Sequence, residues 1–400
     1  MAETATARWT PRRRTNVPSL PEELVVWEIL VRLPAKDVLR CRAVCHSWRR
    51  LASDADFALA HHERQPSLPL VFFHGRVHRY SPSVVVDAAL DALHLGAAGE
   101  PERRPVLRFN DYNQGRGFNV HTSCDGLLLL SLPGSRVYVC NPATRQWMAP
   151  PNLTGGNVVG LYPHTPSGEY RVLYWKWSSP PQGYNAVYYV LSLGSPAEPT
   201  YIGLPVTSPS VKQIALRHVD GHPPVLLHSC LHWALRLLHE KTLLVFHTVA
   251  ESFRLMSSPI PPDSQRTLAQ LLEMDGLLGI SHVDEGETTV KLWVLQDYET
   301  EVWSFMYHIE IPMLEIRNIA DHSSFAVTVV SQNGDVLVRC SSSCHLFHCD
   351  RKGRLLKMLR WDCVCSRPTG HWFKESLVRH AFFQGQDGDL VGQPRLFQGF

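Results

Sequence analysis

A pair of short apolar segments recurs along most of this chain, roughly every 50 residues. Each segment has the length and composition of a β-strand. Four-stranded sheets cannot cover both of their faces alone, but sheets packed around a ring can. The recurrence therefore predicts a β-propeller of about six or seven units, with a β-sandwich as the alternative. The first segments run from Gly126 to Leu130, Arg171 to Trp175, Leu231 to Leu235, Gly276 to Ile280 and Gly334 to Val338, and the second from Val137 to Cys140, Val187 to Leu191, Leu243 to Phe246, Val290 to Leu295 and His345 to His348.

Most second segments lead into a polar turn and then an aromatic residue. We expect these aromatic side chains to pack between neighbouring units. An earlier unit, near Leu70 to Phe73, has a fainter pattern. The turns and their aromatics are Asn141, Pro142 and Thr144 before Trp147, Thr248 and Glu251 before Phe253, Asp297 and Glu299 before Trp303, and Asp350 and Gly353 before Trp361.

Composition narrows the class of protein. Only 19% of the residues are charged and the formal net charge is +2, which argues against a disordered chain and against a general nucleic-acid binder. No stretch reaches the roughly 20 apolar residues that span a bilayer. We expect an intracellular, soluble protein whose ten cysteines are reduced thiols.

Helical signals precede the repeats. Residues 1–18 are polar and contain Arg12, Arg13 and Arg14, which indicates a solvated tail. Ser19 and Glu22 have the spacing of a capping box, so a helix is predicted from about Leu20 to Leu33, ending before Pro34. Its apolar residues fall on two nearly opposite sides at helical spacing: Leu20, Leu24, Trp27 and Val31 on one, and Val26, Ile29 and Leu33 on the other.

A unit of this size has difficulty covering two apolar sides by itself. The helical pattern continues with segments from about Ala35 to Ala43 and from about Ser47 to Ala52, and ends near Gln65 and Pro66. One side of the first helix is therefore expected to meet another protein.

The same residues resemble an F-box. The resemblance covers nearly the whole motif, with His46 standing where the family often has a lysine or arginine. The matching residues are Leu20-Pro21-Glu22-Glu23-Leu24, Ile29-Leu30, Leu33-Pro34, Val38-Leu39, Val44-Cys45 and Ser47-Trp48-Arg49.

This resemblance implies a three-helix module that binds the Skp-type adaptor of a cullin–RING ubiquitin ligase. The sequence does not decide which of the matching residues are buried in the module and which in the partner. Trp48 is the expected anchor, because buried aromatic residues dominate interface energetics. The residues implied to bind or support the adaptor interface are Leu20, Pro21, Ile29, Leu33, Pro34, Leu39, Val44, Cys45 and Trp48.

The repeats resemble the F-box-associated domains of plant proteins, and their length is that of kelch-like propeller blades. His247 departs from the aspartate that the family usually places there, which puts one turn hydrogen bond in question. Such domains are taken to recruit target proteins, through residues that vary. The matching segments are residues 123–127, 140–147, 231–233, 250–253, 292–298 and 374–377.

The sequence gives weaker evidence for a metal, catalytic or nucleic-acid site than for the two domains. The strongest metal candidate is Cys340, Cys344, His345, His348 and Cys349, with Cys363 and Cys365 downstream. Adjacent residues on a strand face opposite ways, so buried thiols and packed histidines are favoured over zinc. The sequence has no nucleophile elbow and no phosphate-binding loop. Trp175-Lys176-Trp177 could stack nucleic acid, but packing between blades is favoured.

Together these patterns predict a multidomain α plus all-β protein: a polar tail (1–18), an F-box helical module (19–64) and a β-propeller-like domain (65–400). The expected function is that of a substrate-receptor subunit of a Skp–cullin–F-box ligase, with no catalytic group, metal or cofactor of its own. It would bind the adaptor, through it the cullin and RING subunits, and an unknown target, but neither nucleic acid nor membrane. The expected location is the cytoplasm and nucleus. The alternatives are an interaction scaffold outside the ligase and a propeller hydrolase.

Overall fold

The computed structural model describes residues 21–75, 86–96, 101–111, 118–132, 136–153, 155–177, 186–203, 223–234, 242–260, 269–284, 288–319, 325–331, 334–340, 345–360 and 364–383. The chain divides into two compact units, Met1–Gln65 and Pro66–Phe400. The first is helical and the second is a β-propeller.

The helical unit contains one helical segment more than the three-helix module that the resemblance implies. Its first segment, Glu22–Leu24 (α1), continues directly into a π-helical turn and a 3₁₀ turn, and ends before Pro34 as predicted. The apolar core of the unit includes Val26, Leu30, Val31, Val38 and Phe57. The remaining elements are the π turn Val25–Ile29, the 3₁₀ turn Leu30–Arg32, α2 (Ala35–Cys41), α3 (His46–Leu51) and α4 (Ala55–Arg64).

The predicted arrangement of the first helix's two apolar sides is wrong. A regular helix would place Val31 beside Leu24, yet Val31 is completely buried and Leu24 is 51% exposed. It would also place Ile29 beside Val26, yet Ile29 is 48% exposed and Val26 is completely buried. The segment does have a buried and an exposed apolar side, but different residues form them.

The π turn explains this difference. The N–H of Leu30 bonds back to the carbonyl oxygen of Val25, five residues earlier. A π turn therefore holds one more residue than an α-helical turn, which rotates every later side chain around the axis. Leu24 and Ile29, five residues apart, come closer to one side of the segment than regular helical spacing would place them.

The propeller consists of six four-stranded antiparallel sheets, here called blades 1 to 6. Blade 1 contains β24 (Val364–Phe373), β1 (Leu68–Gly75), β2 (Val86–His94) and β3 (Glu102–Asp111); blade 2 contains β4 (Asn119–Cys124), β5 (Leu127–Ser131), β6 (Val137–Asn141) and β7 (Gln146–Met148); blade 3 contains β8 (Asn157–His164), β9 (Glu169–Trp177), β10 (Ala186–Ser192) and β11 (Thr200–Gly203). Blade 4 contains β12 (Val225–Leu227), β13 (Cys230–Ala234), β14 (Thr242–His247) and β15 (Ser252–Ser257); blade 5 contains β16 (Ala269–Met274), β17 (Leu277–Val283), β18 (Thr289–Asp297) and β19 (Val302–Glu310); blade 6 contains β20 (Phe325–Val329), β21 (Val336–Cys340), β22 (His345–Cys349) and β23 (Leu355–Arg360).

These sheets confirm the predicted propeller. The predicted strand pairs are the two middle strands of blades 2 to 6, and the faint early unit is blade 1. Blade 1 is assembled from distant parts of the chain, because β24 pairs with β1 along its length, for example Phe373 with Leu68. A helix, α5 (Met313–Ile319), connects blade 5 to blade 6.

Apolar clusters between neighbouring blades close the ring. Each cluster takes side chains from two adjacent blades, which is how each sheet covers its faces. Members from the two blades of successive interfaces are Leu107 and Leu128, Leu129 and Leu161, Tyr188 and Phe246, Val245 and Ile280, Val294 and Phe347, and Leu337 and Phe73.

The predicted aromatic wedges lie at these interfaces. Trp147 packs against the cluster of blades 1 and 2, and Phe253 packs against that of blades 3 and 4. Trp303 packs against the cluster of blades 4 and 5, and its Nε1 donates to the carbonyl oxygen of Ser257 at 3.0 Å. Trp361 lies outside the described residues.

In several turns that follow the third strand of a blade, one side-chain atom accepts hydrogen bonds from backbone N–H groups of the turn. The Oδ1 atom of Asp297 accepts from the backbone N–H groups of Glu299 and Thr300, each at 3.0 Å. These backbone donors lower the pKa of the Asp297 carboxyl below its usual value. Asn141 and Asp350 cap their turns in the same way.

His247 makes the same kind of turn hydrogen bonds, with a ring nitrogen in place of a side-chain oxygen. Its Nδ1 atom accepts from the backbone N–H of Val249 at 3.2 Å and of Ala250 at 3.0 Å. A ring nitrogen accepts only when it carries no proton, so the turn requires the neutral imidazole with its proton on Nε2. The turn hydrogen bond that the sequence puts in question is therefore present.

The segment after β24 crosses blades 2 and 3. The carbonyl oxygen of Ser376 accepts from Nδ2 of Asn141 at 3.0 Å. Gly126, at φ +80°, faces Ser376 so closely that a Cβ atom on residue 126 would lie 2.3 Å from the Ser376 Cβ. His380 then packs edge-on against Tyr170, with ring centroids 5.0 Å apart.

Candidate partner-docking surface of the helical unit

The predicted adaptor-binding residues divide into two groups by exposure. Pro21, Ile29 and Val44 are exposed, and Val44 is the most exposed of the large apolar side chains described in this unit, at 66%. The other group is half-buried, so each side chain presents part of its surface to the unit's own core. Its members are Leu33, Pro34, Leu39, Cys45 and Trp48. Leu20 lies outside the described residues.

Three further exposed apolar residues are missing from the predicted set. Leu24 is 51% exposed, Trp27 is 36% exposed, and Leu59 on α4 is 52% exposed. Apolar character at helical spacing marks Leu24 and Trp27 in the sequence, but it does not show whether they face inward or outward. The ring of Trp27 lies edge-on to Phe57, with centroids 5.9 Å apart.

Buried polar contacts tie the first segment to α4. The carbonyl oxygen of Leu33 accepts from Nε2 of His61 at 2.8 Å and from Nε2 of Gln65 at 3.1 Å. His61 is completely buried, and burial lowers its pKa, which favours the neutral ring. These contacts satisfy a carbonyl that the end of a helical segment would otherwise leave unpaired.

A second set of contacts holds the turn between α2 and α3. Nε of Arg42 donates to the carbonyl oxygen of Ala52 at 3.0 Å, and Nε of Arg49 donates to that of Arg42 at 3.1 Å. Sγ of Cys45 accepts from the backbone N–H of Trp48 at 3.4 Å and caps α3. These hydrogen bonds fix the turn that contains the exposed Val44.

The ion pairs on this unit lie at the surface. Glu28 and Arg32 pair at 3.0 Å, and Asp37 and Arg40 pair at 3.1 Å. Exposed pairs of this kind contribute at most about 1 kcal/mol to stability.

The cysteine and histidine candidates do not converge on one point in the described part of the chain. Cys340 lies on β21, and His345, His348 and Cys349 lie on β22. Burial raises the pKa of Cys349 to about 12, which keeps that thiol protonated. Cys344 and Cys363 lie outside the described residues, and within those residues no group of three or more metal-ligating side chains gathers.

The structure also locates the Trp175–Trp177 segment and the acidic residues that were considered as catalytic candidates. Trp175 is buried between blades 3 and 4, while Trp177 is 53% exposed. Glu299 lies in a turn, as expected, whereas Asp297 ends β18 and Asp350 follows β22, and each accepts hydrogen bonds from the turn after it. Among the described helices, none is long and apolar enough to cross a membrane.

Comparisons with known proteins agree with both units. A family model described as "F-box associated beta propeller domain" matches residues 106–360, and one described as "F-box-like" matches residues 17–58. F-box protein At5g49610 of Arabidopsis thaliana is 27% identical over 305 residues, which is 73% of this chain and 79% of the relative. F-box protein At4g19940 of Arabidopsis thaliana is 23% identical over 368 residues, covering 83% and 84% of the two chains. The chain therefore belongs to the family of F-box proteins that carry an F-box associated β-propeller domain.

Proposed function

We propose that this protein is the substrate-receptor subunit of a Skp–cullin–F-box ubiquitin ligase. The helical unit binds the Skp-type adaptor, which connects the receptor to the cullin and RING subunits. The propeller holds a target protein. The membership of the F-box family supports this proposal, and so does the apolar surface of the helical unit.

The exposed apolar side chains carry the argument. Leu24, Trp27, Ile29 and Val44 are all more than a third exposed, on the first segment and on the turn between α2 and α3 of one small helical unit. Contiguous exposed apolar surface marks protein-binding sites, and large aromatic and aliphatic anchors dominate the energetics of such sites. A partner that covers this surface completes the burial that the unit does not achieve alone.

In this role the chain contributes to ubiquitin transfer by position alone. A target bound to the propeller has its lysines at high effective concentration near the charged ubiquitin carrier. We propose that the chain supplies no catalytic group, metal or cofactor. We also propose a location in the cytoplasm and nucleus, which fluorescence microscopy of the tagged chain tests.

The first experiment measures adaptor binding by the full chain in titrated pull-downs. Ile29→Glu and Val44→Glu each place a charge in the proposed interface and should weaken binding at least tenfold. Leu59→Glu is the matched control, because Leu59 is equally exposed but lies outside the predicted adaptor-binding set, and it should bind as the wild type. Equal binding by all three folded variants would contradict the proposal.

The second experiment separates the ligase role from a scaffold role. The intact chain and the Ile29→Glu/Val44→Glu double variant are expressed with the proteasome blocked, and their co-purified proteins are compared. The ligase role predicts that cullin and adaptor accompany only the intact chain, and that ubiquitinated proteins accumulate only with it. A scaffold would retain its partners without cullin.

A further inference from the structure

Lysine is scarce in this chain and unevenly distributed. Lysine and arginine together number 39, and only eight of these residues are lysines. Residues 37–175 contain fourteen arginines and no lysine, whereas residues 176–400 contain twelve arginines and seven lysines. A uniform preference for arginine would spread the lysines along the whole chain. The lysine-free stretch, residues 37–175, runs from α2 through blades 1 and 2 into the second strand of blade 3.

Some arginines of this stretch are required for their forked guanidinium group. Nε and a terminal nitrogen of Arg42 both donate to the carbonyl oxygen of Ala52. Arg171 pairs with two carboxylates, those of Glu169 and Glu251. The compact ammonium group of lysine does not reproduce this planar fork. At these two positions the structure itself explains the choice of arginine.

Other arginines of the stretch have no such reason. Arg50 on α3 and Arg136, directly before β6, are exposed, and their guanidinium groups bind no other residue in the described part of the chain. Arg64 on α4 is exposed as well and donates to the carbonyl oxygen of Ala60 at 3.3 Å, a single bond that an ammonium group can also make. Lysine and arginine have similar helix propensities. Protein stability therefore gives no reason for the absence of lysine at these positions.

The two residue types differ in their chemistry toward activated ubiquitin, which its carrier holds as a thioester. The ε-amine of lysine, as the free base, attacks the thioester carbonyl and is the usual ubiquitin acceptor. An isopeptide bond forms, the C–S bond of the thioester breaks, and the proton lost by the amine passes to the leaving thiolate. The guanidinium of arginine stays protonated in proteins, so it does not accept ubiquitin.

We propose that the lysine-free stretch is the part of the receptor that the charged ubiquitin carrier reaches, and that its arginines direct ubiquitin to the bound target by offering no acceptor amine. This inference rests on the proposed function, because a receptor within the ligase meets the carrier at the same high effective concentration as its target. Lys36, the one lysine before residue 176, lies on α2 between Pro34 and Leu39 of the predicted adaptor-binding set.

The test introduces lysines into the lysine-free stretch. The ligase is reconstituted from the full chain, the Skp-type adaptor, the cullin and RING subunits, the ubiquitin-activating enzyme, a ubiquitin carrier and ATP, without a target. Arg50→Lys/Arg64→Lys/Arg136→Lys, the lysine variant, should be conjugated to ubiquitin about tenfold faster than the wild type or more. Mass spectrometry should locate the added ubiquitin on the introduced lysines.

Two controls isolate the chemistry and the position. Arg50→Gln/Arg64→Gln/Arg136→Gln removes the same three charges without adding an amine, and it should be conjugated as slowly as the wild type. Arg317→Lys adds a lysine at an exposed position of α5, outside the lysine-free stretch, and should not raise the rate. Circular dichroism establishes that each variant is folded.

The outcomes separate this inference from the proposed function. Discharge of the carrier onto free lysine measures whether the assembled ligase is active. In an active ligase, wild-type conjugation as fast as that of the lysine variant, or an equal gain from Arg317→Lys, would overturn the inference and leave adaptor binding intact. So would a gain that persists when Ile29→Glu/Val44→Glu is added to the lysine variant. Failure of the wild-type chain to join the adaptor would contradict the proposed function, and this inference with it.

Discussion

The amide of Asn141 donates to the carbonyl oxygen of Ser376, 235 residues further along the chain, at 3.0 Å. Asn141 is completely buried, and its Oδ1 also accepts from the backbone of its own turn. One side chain thus caps a turn of blade 2 and fixes the segment that follows β24. The prediction from sequence connects these two regions only through a family resemblance.

Asn141→Ala should lower the free energy of unfolding by about 2 kcal/mol, because it leaves buried backbone groups without partners. Urea titration measures the change. Asp297→Ala is the control: Asp297 caps the equivalent turn of blade 5, and its described contacts do not include the C-terminal segment. Equal losses in the two variants would contradict a role for Asn141 in holding the segment.

His247→Ala should lower the free energy of unfolding by about 1 kcal/mol, because two backbone N–H groups lose their acceptor. His247→Asp should retain the stability of the wild type, since a carboxylate accepts the same two bonds. Thermal and urea unfolding measure both variants. A loss for the aspartate variant as large as that for alanine would show that the imidazole acts through something other than its acceptor nitrogen.

Asp91→Asn should lower the free energy of unfolding by about 3 kcal/mol, because it leaves two arginines without their buried counter-charge. Asp91 is completely buried and accepts from Nε of Arg103 at 2.7 Å and from the guanidinium of Arg108. Glu102→Gln is the matched control, since its pair with Arg104 involves an exposed carboxylate. We expect this control to change stability by less than about 1 kcal/mol.

The free energy of unfolding should fall as the pH is lowered from about 7.5 to about 5. The reason is that His232 binds a proton less readily when it is buried in the folded protein than when the chain is unfolded. Burial, and secondarily the charges of Arg254 and His228, lower the pKa of His232 to about 4. An unfolded histidine titrates near about 6.5. Between these two values the unfolded state binds a proton that the folded state does not.

At about pH 5, His232 should lower the free energy of unfolding by about 2 kcal/mol. The lowered pKa values of His61 and His282 act in the same direction. Urea unfolding at both pH values measures it. His232→Gln should make the pH dependence shallower, because glutamine has no proton to gain. An unchanged slope in this variant would exclude His232 as a source.

Trp48→Ala should weaken adaptor binding by about 2 kcal/mol or more, which is the effect expected of an aromatic anchor. The side chain is half-buried in the unit, so it has surface left for a partner. Pull-down titration measures the affinity, and circular dichroism establishes that the helices remain folded. Arg50→Ala is the control, because Arg50 is exposed on the same helix. Wild-type affinity in a folded Trp48→Ala variant would remove this residue from the interface.

The middle strands of the blades are predictable because they are buried on both faces. Leu127 to Leu130 and Leu243 to Phe246 form continuous apolar runs, and their side chains are all buried. Outer strands such as β15 carry exposed polar residues in alternation, so their composition resembles that of loops. Blade 1 is faint because its second middle strand, β2, is interrupted by Asp87 and Asp91. The pairing of β24 with β1 has no local pattern in the sequence either.

The docking surface is predictable only in part. Apolar spacing identifies the helical unit and most of its exposed residues. The direction of each side chain depends on the π turn, which adds one residue to a single turn and has no signature in residue type. For this reason Val31 is buried with Val26, and Ile29 is exposed with Leu24, which reverses the predicted grouping of these two residues.

The late pairing of β24 with β1 sets an order of events during synthesis. The whole helical unit is synthesised first, whereas blade 1 can be completed only after nearly all of the propeller has been translated. A premature stop codon just before β24 would yield a protein with a complete helical unit and an unclosed ring. Under the proposed function, such a fragment would bind the adaptor without delivering a target, and so would inhibit its own full-length form.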